Sequence, residues 1–295
     1  MNMKKLVLSA LFLVSTLAVF AQDSTSKWSP AVSLGFEPVP VYHISGVDTS
    51  FENSVALSPV LSIRHKSGFG ISYSPKFVTG GTTPGIFMHA VTVGIEQYDQ
   101  KVFNYALTYS HYFFTNNKGV PYSPLTNEVY ASFTYKQPWL RPSFSAGIGF
   151  GTDTQTTPSS SAYDIGASFG VSHAFSWENS DVNYSLSPSV SINGGTNEYF
   201  SLLNITKYVG RSKSSAKTVK NGTGRRNGGS GSTTTTSTTT SHEMFNLNNI
   251  EIGLESSIEV GSFSIRPTAN VYLPIGSFAG TGVTGYWQLM VEYNF

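Results

Sequence analysis

The sequence predicts an all-β chain that closes into a transmembrane antiparallel β-barrel of about twelve strands. Three observations carry this. Apolar and polar residues alternate with period two along most of the chain, and helical spacing does not compete in those windows. The alternating segments are long enough for a tilted strand to cross a bilayer, and longer than typical soluble strands. The connections between them alternate long and short, the pattern of a barrel with short periplasmic turns and long extracellular loops. Composition agrees: charged residues make up 12% and aromatics 14% of the chain, whereas a soluble domain carries about 25% charge.

The first residues read as a processing signal. Lys4 and Lys5 form a basic start, Leu6 to Phe20 an apolar stretch, and Val19-Phe20-Ala21 a small-residue cleavage site. The expected division is a signal peptide over 1–21 and a barrel over 22–295. The apolar stretch of about fifteen residues is short for a helical span, and no other run is long enough to be one. The chain has no cysteine, so disulfides and lipidated cysteines play no part.

Twelve strands are expected at roughly 27–37, 54–65, 68–79, 86–97, 101–113, 127–137, 139–151, 162–176, 181–193, 246–259, 262–273 and 283–295. In the last, Val283, Gly285, Trp287, Leu289, Val291, Tyr293 and Phe295 share one face, and Thr284, Tyr286, Gln288, Met290, Glu292 and Asn294 the other. Phe103, Tyr105, Leu107 and Tyr109 alternate in the same way with Asn104, Ala106, Thr108 and Ser110. Short turns are expected at 65–68, 98–101, 137–139, 177–181 and 260–261, and long loops after strands 1, 3, 5, 7, 9 and 11. A soluble sandwich would leave the aromatic face in water, whereas a barrel gives it lipid. Pro30, Pro59, Pro75, Pro142, Pro188 and Pro267 all take the lipid-facing register; each removes a ladder donor, and the recurrence reads either as an internal hairpin repeat or, in the favoured reading, as local bulges that curve the wall.

The segment Gly285 to Phe295 resembles the terminal strand signal of outer-membrane proteins, with alternating apolar residues and a final aromatic. That resemblance implies that Trp287, Leu289, Val291, Tyr293 and Phe295 are read by the barrel assembly machinery. Together with the Ala21-Gln22 boundary, the chain looks like an outer-membrane protein of the Bacteroidetes type, without pointing to a functionally defined family. Asp23-Ser24-Thr25 resembles the short O-glycosylation motif of that group. The implied location is the outer membrane, multi-pass, with both termini periplasmic.

Residues 205–244 break the composition. Lys207 to Arg226 holds seven basic residues and no acidic one, and Gly222 to Ser241 is rich in Gly, Ser and Thr. Such a segment buries too little apolar area to offset its ordering entropy, so a disordered extracellular loop is expected. It is either a solvated tether or a surface for an anionic partner such as surface polysaccharide. Without the leader and this loop the chain keeps 9 basic and 16 acidic residues.

With Phe295 facing lipid, parity places Ser, Gly, Ala, Thr and Asn on the inner face. Charged inner residues gather near the turns: Arg64, Glu96, Lys136, Arg141, Glu259, Arg266 and Glu292. They form either a selective constriction or a salt-bridge network closing the base. Lys76, Glu128, Asp164, Glu251 and Glu255 lie higher. Catalysis needs a nucleophile with a base, or a metal cluster; no phosphate loop, zinc spacing or cysteine nucleophile occurs. His89 and His111 are expected almost opposite each other on the outer wall, with His173 in the same register, but no serine nucleophile or orienting Asn or Asp accompanies them. The expected function is therefore a narrow passive pore for small polar solutes or ions, rather than an enzyme. The alternatives are a closed accessory barrel presenting its basic loop, and then a lipid-active enzyme on the outer wall. No cofactor, metal or nucleic acid is expected; the expected partners are outer-membrane lipids and the assembly machinery.

Overall fold

A computed structural model describes residues 27–45, 48–81, 84–98, 100–115, 120, 123–153, 159–196, 245–276 and 282–295. The proposed leader, the O-glycosylation motif and the 205–244 loop fall outside them. The strands are β1 (Trp28–Ser45), β2 (Asp48–His65), β3 (Phe69–Val78), β4 (Gly85–Gln97), β5 (Phe103–Phe114), β6 (Asn127–Tyr135), β7 (Arg141–Asp153), β8 (Ser160–Ser172), β9 (Phe175–Asn179), β10 (Val182–Gly195), β11 (Asn246–Val260), β12 (Phe263–Pro274) and β13 (Thr284–Asn294). Each pairs antiparallel with its neighbours, β13 returns to β1, and β10 joins β11, so the sheet closes.

Thirteen strands make twelve staves. β8 pairs with β10 from Gly166 to Ser172, and β9 pairs with the same strand from Phe175 to Asn179. They lie end to end, interrupted at His173 and Ala174, where the expected single strand 162–176 is broken. The break faces Pro188, whose carbonyl still accepts the His173 N–H at 3.1 Å.

Burial is inverted relative to a soluble protein. Glu37, Lys76, Glu96, Glu128, Asp164, Glu251 and Glu292 are buried, while Leu107, Phe113, Phe144, Phe169 and Trp177 are each more than half exposed. Along β5 the pattern alternates strictly from Phe103 to Ser110, exposed at the apolar positions and buried at the polar ones. Apolar surface left in water costs about 25 cal/mol per Å², so such a wall is stable only where lipid covers it.

Two expectations are corrected. The first long loop, 38–53, is instead a hairpin, with β1 and β2 paired rung for rung from Trp28↔His65 to Ser45↔Asp48. Pro38 and Pro40 suggest a loop, but they share parity with Pro30, whose carbonyl points toward the β13 side and accepts from Phe295 N–H at 3.3 Å. The missing N–H groups of Pro38 and Pro40 face that same side, and the β1–β13 ladder has ended by Phe36↔Leu289. They remove no ladder bond. The proline bulges are likewise corrected. Register shifts occur between Lys76 and Phe77, beside Pro75, and between Asn193 and Gly194, away from any proline. Elsewhere the strands run through the prolines in unbroken register. Pro59 and Pro75 fall opposite each other, in a stretch where the β2–β3 ladder is interrupted between Leu57↔Phe77 and Leu61↔Tyr73 without any slip.

Candidate functional site

The candidate site is the lumen, and its two halves differ. At the end carrying the long connections, the β1–β5 side is filled. Val41, Ala56, Val78, Phe87, Met88, Ala90 and Tyr112 pack inward around Leu125, which is fully buried. Leu125 belongs to the segment 123–126, which leaves the loop after β5 and lies over the inner face of β7. A Cβ added at Gly151 would collide with the Pro124 carbonyl oxygen, so only glycine lets this segment seat there.

Three tyrosines tie carboxylates into the lumen wall on both sides. Tyr112 donates to Glu128 at 2.7 Å, Tyr286 to Glu37 at 2.6 Å, and Tyr272 to Glu251 at 3.4 Å. Glu37 also receives Lys76 as an ion pair and Ser58 at 3.4 Å. Glu251 accepts from Asn193 at 3.0 Å and Ser191 at 3.4 Å, and Thr196 donates to Asp164 at 3.1 Å. Buried charges survive when hydrogen-bonded or paired in this way.

The half nearer the short turns is open along β6 to β12. A cavity of about 210 Å³ lies there, lined by Lys136, Arg141, Glu251 and Glu255 and by serines of β7 to β10, among them Ser143, Ser172, Ser185, Ser187, Ser189 and Ser191. Inner residues at this level, such as Ser185, Ser187 and Thr268, are only half-buried. The serine run sits here because β10 alternates serine inward with Tyr184, Leu186, Pro188 and Val190 outward.

The seven expected inner charges all lie on the lumen side near the turns, on two sides of the barrel. Arg64 of β2 and Glu96 of β4 stand on either side of β3, where Gly70 pairs with both Arg64 and Gly94. Glu96 is fully buried. Lys136 donates to the carbonyls of Tyr98 at 3.4 Å and Gln100 at 2.8 Å, fastening the turn after β4. Arg266 reaches Glu292 at 3.1 Å, and Asn294 donates to the same carboxylate at 3.0 Å. Arg141 lines the cavity, and Glu259 pairs across the ladder with Ser264 and Asn183. Parity alone places Tyr112, Tyr272 and Tyr286 inside. Assigning aromatic residues to the lipid face as a class overlooks them.

On the outer wall His111 Nδ1–H donates to Asn127 Oδ1 at 2.8 Å, and Tyr109 donates to the same oxygen at 2.7 Å. An orienting amide therefore does accompany His111, contrary to the sequence reading. His89 hydrogen-bonds Tyr73 at 2.7 Å and pairs across the ladder with Phe113, while His111 faces Val91. The two histidines are thus diagonal rather than opposite, because β5 begins only at Phe103 and the register moves by three. The outward neighbours of His111 are Tyr109, Phe113, Val91 and Asn127, which supply no serine. Among the described residues no group of three His, Cys, Asp or Glu side chains is placed to hold a metal.

A closed, twelve-stave antiparallel barrel with a polar interior and an apolar exterior is the architecture of outer-membrane porins and channels. No protein-family model and no curated relative matches the sequence. Among solved structures the chain is similar to an outer-membrane channel from Pseudomonas putida F1, at 7% identity and a TM-score of 0.46, over 92% of this chain and 97% of that one. It is also similar to the NanC porin, at 10% identity and 0.40, over 87% and 98%. The KdgM porin matches at 9% identity and 0.40, over 89% and 99%. The fold assignment rests on the strand pairing and the inverted burial, and these likenesses add no argument to it.

Proposed function

We propose that the chain is an integral outer-membrane barrel that passes small polar solutes or ions through a narrow, off-axis route. The observation that carries this reading is the hydroxyl-lined cavity of about 210 Å³ inside a closed barrel. The route follows the serine-rich wall of β7 to β12, while the filled β1–β5 side keeps it narrow. The inner charges Arg64, Glu96, Lys136, Arg141, Glu259, Arg266 and Glu292 set its field near the turns. Glu37, Glu128, Asp164 and Glu251 join Glu96, Glu255, Glu259 and Glu292 against Lys27, Lys76 and the four other inner bases, a small acidic surplus that biases the route weakly toward cations. Planar bilayer recording of the purified full chain tests this: small discrete conductance steps are expected, and silent bilayers reject it.

A second reading has its own support. The packed Tyr–carboxylate pairs and the apolar cluster around Leu125 resemble a closed interior more than a passage. On this reading the barrel is an accessory protein that presents Lys207 to Arg226 to an anionic surface partner. An outer-wall enzyme is disfavoured, because among the described residues no serine stands beside His111 on that wall, and the Thr126 hydroxyl near it is engaged as an acceptor from Asn127 at 3.0 Å.

A further inference from the structure

The cavity near the turns keeps opposite charges on separate walls. On one side Lys136 and Arg141 continue the rung series that Thr134 and Ser143 begin, so the two cations are adjacent across the β6–β7 ladder. Beyond its backbone rung to Ser172, Arg141 is left with a guanidinium that makes no hydrogen bond or ion pair to any described residue. On the other side Glu251 and Glu255 line the cavity from β11. Glu251 is engaged by Asn193, Ser191 and Tyr272. Glu255 has only the attraction of Arg266, and Arg266 is already hydrogen-bonded to Glu292. One guanidinium is thus shared by two carboxylates, and that wall keeps a negative surplus. Serine hydroxyls of β8 and β10 lie between the walls.

We propose that this cavity is a binding site for small zwitterions of the α-amino-acid type. The carboxylate of the ligand meets the Arg141 guanidinium, a planar and permanently charged fork suited to two parallel hydrogen bonds. Its ammonium group lies toward Glu255, and the serine hydroxyls serve the polar atoms between. A simple anion would face the acidic wall unmatched, and a simple cation the basic one. The volume falls below the roughly 300–1,000 Å³ of pockets for drug-sized ligands, which limits the occupant to a small solute. This inference rests on the reading of the lumen as a solute route and names the class of solute.

The test is saturation-transfer NMR on the full chain in detergent micelles, with alanine as probe and acetate, ethylamine and glucose as controls. Alanine should give the strongest signal. Arg141→Gln and Glu255→Gln should each weaken it by at least about fivefold, as the loss of one charge-assisted contact implies, with Arg141→Lys in between. Alanine no stronger than acetate, ethylamine or glucose would overturn the site, and that comparison needs only the unmodified chain. So would an alanine signal unchanged in both glutamine variants. Bilayer recording reports separately on the route. Alanine binding by a silent barrel leaves the site standing and rejects passage, and conductance without alanine binding rejects the site alone.

Discussion

Replacing Lys76 by methionine removes one partner of an ion pair whose side chains are 5% and 2% exposed. Breaking a buried pair from one side leaves an uncompensated charge and costs about 3–5 kcal/mol. Glu37 keeps two hydroxyl donors in the variant, Tyr286 at 2.6 Å and Ser58 at 3.4 Å. They continue to solvate the carboxylate and place the loss near the lower end, about 3 kcal/mol. With a urea dependence of about 2 kcal/mol/M, the unfolding midpoint should fall by about 1.5 M. The double variant Lys76→Met with Glu37→Gln should recover more than half of that loss. The amide that replaces the carboxylate carries no charge, and its oxygen still accepts from Tyr286. Urea titration of the folded protein in micelles, followed by tryptophan fluorescence, measures both. A single variant as stable as the parent, or a double variant no better than the single, would show that the lumen wall does not hold Glu37 as a buried charge.

Further outcomes follow from other features of the lumen and the loops. Gly151→Val should dislodge the 123–126 segment, whose Pro124 carbonyl occupies the space the added Cβ needs, and raise single-channel conductance; unchanged conductance would mean that the segment does not narrow the route. Replacing Arg141 and Arg266 together by glutamine should raise cation preference, since Glu292 loses its partner at 3.1 Å and Glu255 and Glu259 face fewer cations. Reversal potentials across a salt gradient read this, and the effect should shrink at high salt, where the Debye length is about 3 Å at 1 M. Trypsin added to intact cells should cut within Lys207 to Arg226 and leave the barrel fragments associated; cleavage only after lysis would reverse the proposed orientation.

Much of the fold was legible because a strand with two different solvents on its faces writes period two into its side chains. Phe103 to Ser110 and Gly285 to Asn294 show this without interruption. Less legible was anything that depends on the neighbouring strand. Pro38 and Pro40 look like loop residues until the end of the β1–β13 ladder at Phe36 is known. The Tyr–carboxylate pairs join residues as far apart as Glu37 and Tyr286, and sequence spacing carries no trace of them. The register of β4 on β5 depends on where a five-residue turn ends, and an error of three residues moves His89 from Phe113 to Ser110, next to His111. Ser123 to Thr126 reads as an ordinary polar loop, although Leu125 is fully buried. The inner charges follow from parity alone. Their division between two walls emerges only once the strands are placed around the barrel.

The inside-out wall is tested most directly by cysteine accessibility along β10. The chain has no native cysteine, and serine to cysteine changes little in size. Single variants Ser185→Cys, Ser187→Cys and Ser189→Cys face the cavity, whereas Tyr184→Cys, Leu186→Cys and Ile192→Cys face outward in the alternating register. A water-soluble thiosulfonate reacts only with thiolate that water can reach. In the protein reconstituted into lipid, the three serine positions should label and the three apolar positions should not. Labelling without alternation, or confined to the apolar positions, would contradict a barrel with a hydrated interior and a lipid-covered wall.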